Sequence, residues 1–429
     1  MRKPCRWLAR IGCDLAGQLH AKSALPATQQ KVFTMGLYNH LKEKLRAWKT
    51  SAKPAATEAP HAPQTPGRDR LAGEDADALF GFQLLGQLAA AEESGQGNLL
   101  IGPRNIRTAL AAVALGAQGE TRREIIAQTG DYDSIDLAAG KSFTNALHIW
   151  LPPDKTLRRQ FAGHFPHARI ENTPVDQAPK AINAYVNEKT RGKIKTILDL
   201  PPAEDGMVLT TALDFESGWR TPFDLKDTRV DTFFVTPDEP QKTHFMSLDD
   251  CFWYSATPDG QIVWLPYRDD DLGMTIFLPR PDLNLAHWLE QGQGTNWQNA
   301  IDAMQLKEGN VKLPRVAFDF SARLANALQA LGIRSAFTDT AEFDDILENP
   351  GPLKISDVRH KTRIQIDEQG TQAAAATSEV LLSAAADDAQ SVQPPFSMHI
   401  DRPFFLTIGD AYNRKILFMG IVRQPSLEK

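Results

Sequence analysis

The sequence predicts an α+β domain with large antiparallel sheets. Helical periodicity is concentrated early, over residues 76–190, and strand-like runs dominate from residue 207 onward. That order argues against an alternating α/β fold with a parallel sheet. Composition agrees with a globular body: 42% of the 429 residues are hydrophobic and 23% charged, which excludes collagen-like and largely disordered classes.

The elements follow in chain order. Residues 76–93 carry Leu79, Phe82, Leu85 and Leu88 on one helical face, and Gly95 to Gly97 end the helix. Residues 104–117 form a second helix with a small-residue face, and helical patterns recur at 121–128, 179–190 and 321–332. Strand-like runs are 207–213, 261–267, 274–280, 311–318, 362–368, 404–408 and 416–422. Between two good strand signals lies the stretch 369–397, long and loop-like. Loops of that length inside a compact domain are uncommon and usually functional; the competing reading of Ala373 to Ala376 is a surface helix, since Ala is the best helix former.

The chain before the body is different in kind. Residues 1–75 hold 13 Lys+Arg against 6 Asp+Glu, a charge of +7, whereas the whole chain is at −6, leaving −13 on the remainder. A basic tail and flexible linker are expected over 1–74, with residues 51–73 rich in Ala, Pro, Thr and Gly. The apolar stretch near the start is broken by Arg6, Arg10 and Asp14, so no signal-peptide core forms, and Met35 is an alternative start. Leu37, Leu41, Leu45 and Trp48 share a helical face flanked by Lys42, Lys44 and Arg46, which reads either as a short solvated helix or as a membrane-surface one.

Several function classes are excluded. No window reaches the length of a membrane span. Cys5, Cys13 and Cys251 cannot build a disulfide framework or a CxxC zinc site. An acidic balance does not suit nucleic acid. HExxH, GxSxG and Walker-A patterns are absent: Gly192-Lys193 is followed by Ile194, and Gly292-Gln293-Gly294 meets Trp297 where a dinucleotide loop needs glycine. His164 and His167 are separated by Pro166, which spoils a shared helical face and makes a surface loop the better reading than a metal site. No catalytic residue, metal or cofactor is expected.

Six blocks in order carry a family resemblance. Asn98 to Ile125, with Leu115-Gly116-Ala117, Gly119, Thr121 and Glu124-Ile125, resembles the family's second helix and its exit. Ile182-Asn183, Tyr185-Val186, Thr190 and Gly192-Lys193-Ile194 resemble the INxWVxxxTxGKI block. Phe215, Trp219, Pro222 and Phe223 resemble the strand leading to the breach tryptophan, and Leu313-Pro314, Leu328 and Leu331-Gly332-Ile333 a fourth block. His360 with Ile366 to Thr371 resembles the long strand and hinge before the loop, and Asp401-Arg402-Pro403-Phe404 with Leu417 to Gly420 the C-terminal signature; together the six blocks resemble the serpin family.

The resemblance implies one domain over 75–429 with three β-sheets, eight or nine helices and an exposed reactive centre loop at about 368–400. It implies a suicide-substrate inhibitor of a serine protease, which would be held as a covalent acyl-enzyme when the cleaved loop inserts into the main sheet. No nucleic-acid partner and no membrane span are expected, and the chain is expected to be a monomer. The resemblance suggests an extracellular or extracytoplasmic setting; without a convincing signal peptide a cytoplasmic one stays open. A cross-class cysteine protease inhibitor and a non-inhibitory carrier or chaperone are the alternatives.

The implied hinge is Glu368, Gly370, Thr371, Gln372, Ala373, Ala374, Ala375, Ala376 and Thr377. Its chemistry fits independently: small side chains thread between strands at low steric cost, Thr suits a pleated surface, and Gly370 supplies backbone freedom. On the period of two, Thr371, Ala373, Ala375 and Thr377 face the core, and so does Glu379, whose burial is unfavourable. Counted in the family's usual register from Glu368, the resemblance implies a reactive bond at Ala384–Ala385, with Ser383, Ala385 and Ala386 fitting the same pocket; a small alanine suits an elastase-like or subtilisin-like enzyme, and no Lys or Arg lies between Gly370 and Arg402 to suit a trypsin-like one. The breach and shutter are expected at Trp219, His360, Asn105 and Thr211. Gly102, Asn105 and Thr211 stand where the family has other residues, and the 19 residues between Ile125 and Asn145 leave little room for its fourth helix.

Overall fold

Apolar runs become buried strands and one-faced helices throughout the computed structural model. It describes residues 73–91, 97–130, 142–163, 168–204, 206–268, 272–290, 294–371, 394–410 and 415–425. All elements named here lie in one compact unit, Leu71–Ala376 with Pro395–Lys429.

Three helices open the body: α1 (Gly73–Ala91), α2 (Pro103–Ala114) and α3 (Gly119–Thr129). Pro103 suits the first turn of α2, where an N–H would go unpaired anyway. Ala109, Ala111, Ala112 and Ala114 of α2 are buried; their small side chains let the helix sit close under the sheets. Strand β1 (Leu99–Ile101) precedes α2, and β2 (Phe143–Trp150), α4 (Arg159–Gly163) and β3 (Arg169–Glu171) follow α3. Helix α5 (Ala178–Lys189) buries Ala178, Ile182, Tyr185 and Val186, the i, i+4, i+7, i+8 stripe of an amphipathic helix.

The strand-rich half comprises β4 (Gly206–Phe215), β5 (Ser217–Gly218), β6 (Arg229–Thr236), β7 (Glu239–Thr257), β8 (Gly260–Pro266) and β9 (Leu272–Pro279). After α6 (Leu285–Glu290) and α7 (Gly294–Asp302) come β10 (Gln305–Pro314), β11 (Val316–Arg323) and α8 (Ala325–Ala330). The chain closes with β12 (Lys354–Asp367), β13 (Gly370–Thr371), β14 (Phe396–His399), β15 (Phe404–Asp410) and β16 (Lys415–Val422). The eight helices among the described residues match the expected eight or nine.

Hydrogen bonding joins the strands into a nine-stranded and a seven-stranded sheet. The 19-residue β7 runs without a break: its start pairs with β6 and its end with β8, while β10 pairs along most of its length. Two of the three expected sheets are therefore one bent hydrogen-bonded surface. The run expected as one strand over 311–318 is two, split at Arg315 where the chain passes from one sheet to the other. The helix expected over 321–332 is shorter, because Ser321 to Arg323 belong to β11.

The seven-stranded sheet runs β3-β2-β4-β12-β13-β5, with β11 on the other edge of β12. Its centre is a parallel pair: β12 lies against β4 from Lys354↔Gly206 to Arg363↔Asp214. One face packs on the main core. The other carries a separate, smaller core in which α5 covers Ala146 and Trp150 of β2 and Val208 and Ala212 of β4.

Candidate functional site

The candidate site is built along β12. At mid-strand, His360 is fully buried and bridges three elements. Gly102 N–H donates to its Nε2 (2.9 Å), and its Nδ1 lies 2.7 Å from Thr211 Oγ1 on β4. Since Nε2 accepts from a backbone N–H, the proton of the neutral ring sits on Nδ1 and is donated to Thr211. Burial pushes the His360 pKa down to about 3. A Cβ on Gly102 would come within 2.6 Å of Leu213 Cδ2, so Leu213 fills the space that a larger residue at this position would need. One step along β12, Thr362 Oγ1 donates to the Leu100 carbonyl at 2.8 Å.

Of the residues expected at the shutter, His360 and Thr211 are in hydrogen-bond contact, and Asn105 bonds elsewhere. The Asn105 amide donates to Asn145 Oδ1 on β2 instead of reaching His360. It thus ties α2 to the sheet one strand further over.

At the upper end of β12 the chain reverses. Asp367 Oδ1 accepts from Gln369 N–H (2.9 Å) and Gly370 N–H (3.3 Å), a short-range turn that Asp favours. Gly370 has φ 154°, and a Cβ there would lie 2.2 Å from the Ser217 carbonyl oxygen; only glycine fits this close approach. β13 then pairs antiparallel with Ile366 and Asp367 of β12 on one side and with Ser217 and Gly218 of β5 on the other.

Trp219 clasps this turn. Its indole N–H donates to the Asp367 carbonyl (2.9 Å) and its backbone N–H to the Gln369 carbonyl (2.8 Å), while Phe223 N–H donates to the Glu368 carbonyl (3.0 Å). The Glu368 carboxylate is buried and accepts from Arg315 Nη2 (2.8 Å), Arg315 Nε (3.0 Å) and Thr228 Oγ1 (2.6 Å). Burial pushes its pKa up, but the hydrogen bonds from Arg315 and Thr228 outweigh that and hold it below the usual range. Asp367 is displaced the other way: burial raises its pKa against the two backbone N–H bonds that lower it.

Thr371 is fully buried, with Oγ1 2.6 Å from the Tyr267 hydroxyl. Tyr267 is itself fully buried, stacked on Trp219 (centroids 4.7 Å, planes 7° apart) and tilted against Phe215 at 4.8 Å. Burial drives the Tyr267 phenol pKa far up, so it acts as a neutral hydroxyl. Sequence reasoning missed Tyr267 and Arg315. Neither carries a spacing signal: each is a single residue at a strand end, brought to the turn only by the tertiary fold.

Of the sequence-predicted residues, Trp219, Glu368, Gly370 and Thr371 thus come together at one end of the sheet, and His360 and Thr211 at its middle. Gln372, Ala373, Ala374, Ala375, Ala376, Thr377, Glu379, Ala384 and Ala385 lie outside the described residues, as do residues 131–141, His164 and His167. Among the described residues no group of three or more His, Cys, Asp and Glu side chains is placed to hold a metal ion, and no helix is long and apolar enough to cross a membrane.

A family model described as Serpin (serine protease inhibitor) matches residues 75–425. Serine protease inhibitor 42Dd of Drosophila melanogaster is 29% identical over 369 residues, covering 79% of this chain and 94% of its own. Among solved structures, the thermophilic serpin tengpin in the native state superposes with a TM-score of 0.72 at 26% identity, covering 81% of this chain and 93% of that one. Human thyroxine-binding globulin, complexed with thyroxine, shares the fold at 20% identity with a TM-score of 0.71, over 82% and 98% of the two chains.

Proposed function

The chain belongs to the serpin family, whose members are generally serine protease inhibitors, and we propose that it is a suicide-substrate inhibitor of an elastase-like or subtilisin-like serine protease. The observation that carries this reading is the centre of the seven-stranded sheet. β4 and β12 lie side by side in parallel over Gly206 to Asp214, and the residues expected as the hinge begin an antiparallel strand at their upper end. A strand threaded between them would turn one parallel ladder into two antiparallel ladders, the more stable kind per residue. The small, uncharged run from Gly370 to Thr377 is what such threading requires.

The chemistry balances simply. The protease serine oxygen attacks the Ala384 carbonyl, the bond to the Ala385 nitrogen breaks, and an ester to Ala384 forms. The serine proton leaves on the new amino group of Ala385. Insertion then carries the esterified protease away before water reaches the ester. Thr371, Ala373, Ala375 and Thr377 face the core in that strand, and Glu379 is its least favourable member.

The thyroxine-binding globulin neighbour keeps a second reading open, a serpin-fold carrier; cross-class inhibition of a cysteine protease is the third. Incubation with an elastase-like protease tests the proposal: a complex surviving denaturing electrophoresis is expected. The companion measurement is melting after loop cleavage. Added ladder bonds and apolar burial should raise the midpoint by tens of degrees. Intact and cleaved forms that melt together would favour the carrier.

A further inference from the structure

We propose that the Tyr267 hydroxyl is a positioning group that pins the register of the inserting strand through Thr371; this rests on the inhibitory reading above.

The intact chain already seats two residues of that strand. Gly370 and Thr371 occupy the slot between β12 and β5. Just below them the β4–β12 ladder ends at Arg363↔Asp214, so the fork from which the sheet must open lies directly under Thr371. Every later residue inherits the register set there. A slip of one residue turns each inward side chain outward, and here it would bring Gln372 to the core-facing position that Thr371 holds.

Besides the two short backbone ladders and the close fit of Gly370, a side-chain bond beyond the turn opposes the slip. The turn itself is held by Asp367, Trp219 and Glu368, all of which grip backbone or residues before Gly370. Past Gly370, the Thr371 hydroxyl meets the Tyr267 hydroxyl at 2.6 Å. The phenol is walled in by Trp219 and Phe215 and without Thr371 would lose this bond inside a buried site, which is unfavourable. Continuing the observed register sets positions 373, 375 and 377 opposite Ile364, Thr362 and His360, all core-facing. The pinned arrangement is therefore the one that places the loop's small residues inward.

The test uses the full chain with Tyr267→Phe, Thr371→Val, the double variant and Thr371→Ser. Tyr267→Phe keeps the stack on Trp219 and removes only the hydroxyl; Thr371→Val keeps the shape and removes the partner. Two readouts are taken: stoichiometry of inhibition against an elastase-like protease, and the melting gain after loop cleavage by a metalloprotease, which forms no acyl-enzyme. We expect each single variant to raise the stoichiometry about threefold or more and to reduce the melting gain. The double variant should be no worse than either single one, and Thr371→Ser should restore both readouts. Unchanged values in both singles, or effects that multiply in the double variant, overturn the pin. If the parent forms no covalent complex but shows the melting gain, and Tyr267→Phe reduces it, the pin stands while the inhibitory reading falls. A parent without a melting gain overturns both.

Discussion

His360 makes the closure of the central sheet sensitive to acid. Its folded pKa, near 3, lies well below the ordinary value of about 6.5. The unfolded chain therefore takes up the proton first. The sign follows: this group's stabilisation is complete above about pH 6.5 and is lost as pH falls toward 3. At about 1.4 kcal/mol per pH unit, the loss between pH 7.5 and 4.5 is about 2.5 kcal/mol. For a domain of this size that corresponds to about 3 °C in the unfolding midpoint. The protonated ring would present an N–H to the Gly102 N–H, so the joint between β4, β12 and the start of α2 is what loosens. His360→Gln can accept from Gly102 and donate to Thr211 without titrating. Unfolding midpoints of parent and variant, compared from pH 7.5 to 4.5, should diverge by this amount as the pH falls, with the variant the less acid-sensitive. His148, also pushed down by burial against the opposing Glu171, titrates in both proteins and cancels in the difference. Parallel curves would refute the assignment of the acid response to His360.

Three further outcomes are expected. Glu368→Gln weakens the two-pronged grip of Arg315 and should lower the intact protein's stability by about 1–3 kcal/mol, read as a shift in urea midpoint; no shift would mean that Asp367 and Trp219 hold the turn without it. Lys193→Met removes the lysine that bridges Asp214 (3.0 Å) and Glu216 (2.8 Å), and should cost about 1–3 kcal/mol because Asp214 is nearly buried; a stability equal to the parent's would count against it. Cleavage by an elastase-like protease should release Ala385 to Lys429, 45 residues, measured by mass spectrometry. A dominant cut after Leu381 or Leu382 with stable complex formation would point instead to a chymotrypsin-like target.

The fold was legible where burial left long apolar runs. β4, β8, β9, β15 and β16 are buried along most of their length, and each carries a run drawn from Val, Ile, Leu, Phe and Met. It was illegible where one face meets water. Glu239 to Lys242 of β7 are polar or Pro and none is buried, and Lys354 to Lys361 of β12 alternate half-buried and buried residues in short irregular steps; neither stretch was foreseen as a strand. The long run 311–318 misled because its apolar residues continue through Arg315, while the backbone changes sheets there. At the site, Trp219, Glu368, Gly370, Thr371 and His360 were found through motif resemblance, since their roles depend on neighbours distant in sequence. The pairing of Asn105 with Asn145, the clasp of Arg315 and the Tyr267–Thr371 bond belong to tertiary packing that no periodicity encodes.

Helix α5 and its small core act as a hatch over the front of the sheet. Ile182, Tyr185 and Val186 bury their side chains with Ile194, Ile197 and Leu198 against β2 and β4, and this cluster is separate from the main core. Lifting the hatch exposes only that cluster, so it requires a fraction of the free energy of global unfolding. If the cleaved loop inserts as proposed, the strand crossing this face would need to displace only this helix and would leave the main core dry. Backbone amides of α5 would then exchange with solvent through a sub-global opening of their own, faster than those of β15 and β16 behind the sheet. The proposed admission of one more strand would then draw on where the core is divided.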